Sequence, residues 1–285
     1  MMTTAFFTSD LHGSARRYRA LFQAIEDERP RLVLLGGDLL ESGLASLGGG
    51  PSIIDSLLVP ELERLRRLMG AHYPPICLIP GNDDGTFEED VLLDAEREGL
   101  FLYLPCRRAK IGAFTVYGYP FIPPSPYRFK DWERYDVSRY VDPGCMAPEE
   151  GLGCADRIVG SELLYPTIAD DLEKLSGDDD LSSAIFLFHA PPYQSLLDRA
   201  ALDGEMIDHC PVDVHIGSIA IRRFIEERQP YLSLHGHVHE SARITGSWRE
   251  RFGGTWAISG AHDGPELALV RIPLEDPGAA SRELI

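Results

Sequence analysis

The stretch Ala5-Phe6-Phe7-Thr8-Ser9-Asp10-Leu11-His12-Gly13 is a short apolar burst that runs directly into a carboxylate and an imidazole two positions apart. An apolar run this short, with no polar alternation, reads as a strand covered on both faces, and the residues after it as the loop at its carboxyl end. Ser14 is placed to cap a helix whose apolar positions Tyr18, Leu21, Phe22 and Ile25 keep the i, i+3, i+4, i+7 spacing, and Pro30 closes it before a second burst at Leu32 to Leu35. This strand, loop, helix, strand unit sets the class as α/β.

Working outward, further strands are expected at Ile76 to Ile79, Phe114 to Tyr119, Ala184 to Phe188, Tyr231 to Leu234, Thr255 to Ser259 and Leu267 to Ile272. A helix is expected from Pro60, burying Leu62, Leu65, Leu68 and Met69, and another from Thr86, where Thr86 and Glu89 form a capping box. Leu164, Ile168, Leu172 and Leu175 stripe a further helix, and Ile219 to Glu227 follows Ser218 as another. After Ile111 the chain becomes richer in strands. No repeat or linker divides it, so 1–285 is read as one domain. Two stretches are irregular: Gly43 to Ser52, and Phe121 to Gly153. The second is too long for a passive connection and is read as a functional loop or lid.

Five of the bursts end in residues of metal-ligand type. Thr8 leads to Asp10 and His12, Leu35 to Gly36-Gly37-Asp38, and Ile79 to Pro80-Gly81-Asn82-Asp83-Asp84. Phe188 leads to His189, and Leu234 to His235-Gly236-His237-Val238-His239. Ligands of α/β sheets collect beyond the carboxyl ends of the strands, so the five ends are expected to meet at one site. Asp10 and His12, like His237 and His239, alternate along a strand terminus and on a period of two would point the same way. Mixed carboxylate and imidazole donors suit Mn, Fe, Zn or Co better than the all-oxygen shells of Ca or Mg. Asp10, His12, Asp38, Asn82, His189, His237 and His239 are too many for one tetrahedral ion. They suffice for two ions about 4 Å apart that share a carboxylate, an arrangement suited to in-line phosphoryl displacement.

Composition narrows the partners. The 285 residues carry 27 Lys plus Arg against 45 Asp plus Glu, a formal charge of −18, which disfavours nucleic-acid or membrane-surface binding through a basic patch. No apolar run approaches the roughly 18 residues of a membrane span. The start of the chain has no basic n-region, which argues against a secretory signal. Five cysteines without a C-x-x-C pair fit a reducing cytoplasm, Cys145 and Cys154 being the one spacing that could form a pair or a metal site.

The ordered set D-x-H, G-D, G-N, a lone His and G-H-x-H, running from Asp10 to His239, resembles the calcineurin-like metallophosphoesterase family. Ser9-Asp10-Leu11-His12-Gly13, His189-Ala190-Pro191-Pro192-Tyr193 and His215-Ile216-Gly217-Ser218 resemble the bacterial members related to Icc. The resemblance implies a four-layer αββα sandwich of two mixed sheets flanked by helices. It implies that Asp10, His12 and His239 hold one metal, Asn82, His189 and His237 the other, and that Asp38 bridges them. The cofactors implied are two divalent or mixed-valence ions, Mn, Fe or Zn. The activity implied is hydrolysis of a small phosphate ester by a water or hydroxide held between the metals.

In one place the chain departs from the family pattern, which has G-N-H-[DE] where this chain has Gly81-Asn82-Asp83-Asp84. The His that contacts the phosphate in the family is replaced by Asp83, and a carboxylate repels phosphate unless protonated. Either the substrate has a good leaving group or another group supplies the proton; Asp83 itself, His215 and His262 are the candidates. The Icc-like resemblance favours a phosphodiester. A phosphomonoester by the same mechanism and a non-catalytic metal-binding scaffold are the alternatives, the second opposed by seven filled ligand positions. In the long loop, Tyr127, Arg128, Lys130 and Trp132 either offer stacking and positive charge to the rest of the substrate or belong to a solvated, partly packed excursion.

Overall fold

The computed structural model describes residues 4–41, 52–152 and 166–285. The first third contains β1 (Thr4–Thr8), α1 (Ala15–Glu28), β2 (Leu32–Gly36), α2 (Val59–Met69), β3 (Ile76–Ile79), α3 (Glu89–Arg97) and β4 (Leu102–Tyr103). The middle adds β5 (Arg107–Ile111), β6 (Phe114–Tyr119), α4 (Ile168–Ser176), β7 (Ala184–Phe188) and the two-residue strands β8 (Met206–Ile207) and β9 (Cys210–Pro211). The last part holds α5 (Ile219–Arg228), β10 (Leu232–His235), α6 (Ser241–Thr245), β11 (Arg249–Phe252), β12 (Thr255–Ser259), β13 (Ala268–Pro273) and β14 (Ser281–Leu284).

Among the described residues, the strands form two six-stranded sheets, in the orders β14-β13-β1-β2-β3-β4 and β11-β12-β10-β7-β6-β5, with β8 and β9 as a separate hairpin. Each sheet is mixed. Strands β1 to β4 are parallel and β13 runs against β1, while β6, β7, β10 and β12 are parallel with β5 and β11 antiparallel at the edges. Alternation along the central strands sorts side chains into three apolar layers. Phe6, Val33, Leu35 and Leu78 face Tyr18, Leu21, Ile25 and Leu62 of the first helical layer. Phe7, Leu34 and Ile79 meet Ile185, Leu187 and Leu234 between the sheets. Phe186 and Phe188 face Leu172, Ile221 and Phe224 of the second helical layer. The result is the four-layer αββα sandwich, in which each fully buried Leu, Ile or Phe contributes roughly 1.5–3 kcal/mol.

The central strands match the expected bursts within a residue. The edge strands β5, β11 and β14, with sequences RRAKI, RERF and SREL, were not expected, because a charged strand at a sheet edge has no apolar burst to announce it. Ser14 caps α1 as expected, its hydroxyl accepting from Arg17 N. Three local expectations are corrected. Pro60 lies inside a longer helical stretch, since a π-helical turn at Ile54–Leu58 runs straight into α2, and Leu68 is 56% exposed rather than buried. Thr86 makes no capping box with Glu89; its N and Oγ1 donate instead to Asp131 Oδ2, at 2.7 and 2.9 Å.

The stretch from Phe121 is packed. Trp132 is buried and its Nε1 donates to the Asp84 carbonyl at 2.8 Å. Lys130 is buried too, donating to Ser125 O at 2.7 Å and Glu133 Oε2 at 2.6 Å. Neither is available to stack on or neutralise a substrate, which corrects that expectation; their size and charge serve the loop's own core. Cys77, Cys106, Cys145 and Cys210 are free thiols. Cys154, Leu164 and all but Ser52 of the Gly-rich stretch lie outside the described residues. Among the described residues no helix is long and apolar enough to cross a membrane.

Candidate metal centre

The carboxyl ends of β1, β2 and β3 in one sheet and of β7 and β10 in the other bring the expected residues together. Two groups of side chains converge. Ligand atoms of Asp10, His12, Asp38 and His239 lie within 4.8 Å of one another, as do those of Asp38, His189 and His237. Asp38, 2% exposed, belongs to both. Its Oδ2 lies 3.4 Å from His189 Nε2 and 3.8 Å from His12 Nε2. Asn82 joins the second group, its Oδ1 3.1 Å from His189 Nε2.

The loops after the strands do the aiming. Asp10, His12, Asp38 and His237 all have left-handed backbones, with φ of 57°, 45°, 51° and 73°. They lie past the last residues of β1, β2 and β10, so the period-two alternation expected for Asp10 with His12 and for His237 with His239 is not what points them inward. Tight turns do, and strained backbone of this kind gathers at functional sites. Neighbouring groups then lock each side chain. Asp10 accepts from Ser9 Oγ at 2.5 Å and from His237 N at 3.0 Å, and Asp38 Oδ1 accepts from Asp83 N at 2.8 Å. His189 Nδ1 donates to Gly36 O at 2.8 Å, which leaves Nε2 unprotonated toward the cluster when the ring is neutral.

The donor set fits a cation. Nε2 of His12 faces Nε2 of His239 at 3.1 Å, with Asp10 Oδ1 3.2 Å from the latter. Two ring nitrogens this close either share one proton or turn both lone pairs on a positive centre. Burial by itself would raise the pKa of Asp10, but the imidazoles of His239, His189 and His12 hold it well below the usual carboxylate range. Burial likewise opposes, and the same kind of neighbours overcome, the shift of Asp38 down to about 2. His189, which burial would lower, is raised to about 9 chiefly by Asp38, and His239 is raised to about 8 by Asp10 against its burial. In the metal-free protein, protons sit where cations would.

The remaining expected residues are placed as follows. Asp83 is partly exposed, its Oδ2 3.6 Å from His12 Nδ1, and burial together with Asp38 raises its pKa. His215 donates or accepts at Nδ1 with the fully buried Asp198, 2.8 Å away, and lies edge-on to Tyr193; among the described residues no hydrogen bond or ion pair joins it to the ligands. His262 bonds Glu266 at 3.2 Å. His235 is buried and neutral, pushed down to about 4 by burial, with Nδ1 on Ala190 O and Nε2 on Ser233 Oγ, so it ties β7 to β10 beneath the ligand loop.

Two roles were missed. The buried Asp84 carboxylate accepts from Leu39 N, Leu40 N and Gly81 N at 3.1, 2.8 and 2.8 Å, lashing the Asp38 loop to the Asn82 loop. Burial and then Asp38 push its pKa up to about 7. Its place in the Gly81-Asn82-Asp83-Asp84 run was the only signal. Arg17 donates to the carbonyls of Asp10 and Gly264, which no spacing in the sequence announces.

Similarity to known proteins agrees with this geometry. A family model described as calcineurin-like phosphoesterase matches residues 3–241. No curated protein sequence matches the chain. Among solved structures, that of TT1561 of Thermus thermophilus is 16% identical over 100% of this chain and 99% of its own, with a TM-score of 0.56. Another crystal structure is 17% identical over 100% of this chain and 99% of its own, with a TM-score of 0.59. At such identity these two likenesses speak for the fold.

Proposed function

The chain belongs to the calcineurin-like phosphoesterase family, a family of metal-dependent hydrolases, and from that premise we propose that it cleaves a small phosphodiester at a centre of two metal ions. The observation that carries the proposal is Asp38, the one carboxylate common to both ligand groups. In this assignment Asp10, His12 and His239 hold one ion, Asn82, His189 and His237 the other, and Asp38 both. Mn, Fe or Zn suits such donors. When bound, the ions supply Lewis acidity, activating water and offsetting negative charge on the phosphoryl oxygens.

The chain's own residues do the rest. His189 and His239 must shed their protons before they can ligate, so metal uptake releases protons and is opposed by acid. Affinity for Mn²⁺ is therefore expected to climb as pH rises through about 8 and toward about 9, where His239 and His189 titrate in the metal-free protein. Calorimetry in buffers of different ionisation enthalpy would show the released protons; a pH-independent affinity with none released counts against these two ligands. Asp83 is placed where the family has its phosphate-facing histidine, and its raised pKa supports a carboxyl that donates a proton to the leaving oxygen. His215, oriented at Nδ1 by Asp198, is the second candidate for that transfer.

Preference for a diester rests on charge. In its ionised form Asp83 repels a dianionic monoester more than a monoanionic diester, and only in its protonated form does it donate to the leaving oxygen; one such repulsion at short range is worth about 1 kcal/mol in water, or several-fold in rate. The Mn²⁺-loaded protein should hydrolyse bis(4-nitrophenyl) phosphate faster than 4-nitrophenyl phosphate. A faster monoester would reverse the substrate assignment, and metal binding without turnover of either would point to a scaffold. The exposed Cys106 and Cys210 thiols support a reducing compartment such as the cytoplasm.

A further inference from the structure

Arg17 stands in the first turn of α1, and its guanidinium reaches back to the turn that carries the first expected ligand. Nη1 donates to the Asp10 carbonyl at 2.5 Å, the one hydrogen bond that carbonyl accepts among the described residues, and Nη2 donates to the carbonyl of Gly264. Gly264 lies in the crossover from β12 of one sheet to β13 of the other. That crossover is tied down twice more. Gly260 N donates to His235 O at 2.9 Å, and Asp263 pairs at 2.7 Å with Arg243 of α6, the helix that follows His239. The Asp10 side chain meets the same region, its Oδ1 accepting from His237 N at 3.0 Å and lying 3.2 Å from His239 Nε2. Arg17 thus closes a ring of contacts around Asp10 and His239, which follow strands of different sheets.

We propose that Arg17 is a positioning residue that holds Asp10 against His239, and that it governs occupancy of the ion assigned to Asp10, His12 and His239 without governing the ion assigned to Asn82, His189 and His237. This rests on the two-ion reading above and adds a determinant of one of its sites. Asp10 is 1% exposed and has a left-handed backbone, so its carbonyl needs a donor from another segment. A planar guanidinium can serve two carbonyls at once, which the compact ammonium of a lysine cannot. The second group is held by other means: Asp84 joins the Asp38 and Asn82 loops, and Gly36 O fixes His189 at Nδ1. Loss of Arg17 therefore falls on one site. Partners that orient a ligand in this way are commonly worth about 10–100-fold in metal affinity.

The test titrates Mn²⁺ by calorimetry into the metal-free protein and its variants. In Arg17→Ala one of two Mn²⁺ equivalents is expected to weaken by about 10–100-fold while the other is unchanged. Arg17→Lys, which keeps the stem and the charge but reaches one carbonyl, should recover part of the loss, and Arg16→Ala, at the exposed neighbouring position, should cost nothing. In a His239→Ala background, where the same site is already broken, Arg17→Ala should add no further loss. Amide hydrogen exchange supplies a reading that needs no metal. In Arg17→Ala, exchange should quicken at Asp10 N and at His237 N, which Asp10 accepts, and stay unchanged at Asp83 N, which Asp38 accepts. Equal weakening of both equivalents, no weakening of either, or exchange that quickens throughout the chain overturns the proposal, since a merely structural arginine would give one of these. A single Mn²⁺ in the unmutated protein would remove the two-ion reading instead, and unchanged exchange at Asp10 N and His237 N would overturn the role of Arg17 in either case.

Discussion

Replacing Asp38 with Ala is expected to lower phosphoesterase activity by about a thousandfold or more, because in the proposed two-metal centre both ions would lose a ligand at once and with them the charge compensation of the reacting phosphoryl group. Two of the neighbouring carboxylates are already committed. Asp10 is engaged by Ser9 Oγ and His237 N, and Asp84 by three backbone N–H groups of the loops it joins. The loss should therefore appear as metal released on dialysis, measured by elemental analysis, as well as in kcat. There is an independent signature. Burial alone would lower the pKa of His189, and Asp38 is the main reason it stands at about 9 in the metal-free protein. In Asp38→Ala the imidazole should titrate far lower, which an NMR titration would record even if no activity were ever found. Full turnover with both metal equivalents retained would end the shared-carboxylate assignment.

The site was more legible in the sequence than the way it is built. Burst-then-ligand at Phe7 to Asp10, Leu35 to Asp38 and Phe188 to His189 is visible because central strands of a covered sheet are apolar on both faces, and the change to Asp or His is abrupt. Edge strands lack that contrast. Arg107–Ile111 shows no apolar alternation that a propensity rule would notice; its pairing with β6 is decided by register across the sheet. The orientation of the ligands was hidden for a different reason. Left-handed φ at Asp10, His12, Asp38 and His237 is imposed by turns whose hydrogen bonds come from other segments, such as Asp10 N to Gly37 O and His12 N to Asp38 O. Asp tolerates this backbone better than most residues, but nothing in D-x-H says that it must adopt it. Lys130 and Trp132 show the opposite error. Residue type suggested a ligand surface, and tertiary packing had already used both.

Gly81→Ala should destroy the centre without touching a ligand. A Cβ at this position would stand closer than 3.0 Å to Asp38 Oδ1, Asp38 N and His189 Cε1. Two of these atoms belong to the side chains of proposed ligands and one is backbone, so no flexible chain end can yield. The clash must displace the Asn82 loop, and the displacement is resisted by Asp84, which accepts from Gly81 N and holds the Asp38 loop on its other side. Overpacking a close-set core costs about 1–3 kcal/mol, and the upper end applies where backbone has to move. For a chain of this size that corresponds to a fall in Tm of roughly 5–10 °C. Activity should fall further than stability, because a shift of about 1 Å at Asp38 or His189 undoes geometry that fold energy tolerates. Gly254→Ala is the control: its added Cβ would approach only Gln229 Oε1, at 3.4 Å, an ordinary contact. If Gly81→Ala matches that control in melting temperature and keeps its metal, then the packing of Gly81 against Asp38 and His189 is not what sets the ligand geometry, and the hydrogen bonds of Asp84 would have to carry it alone.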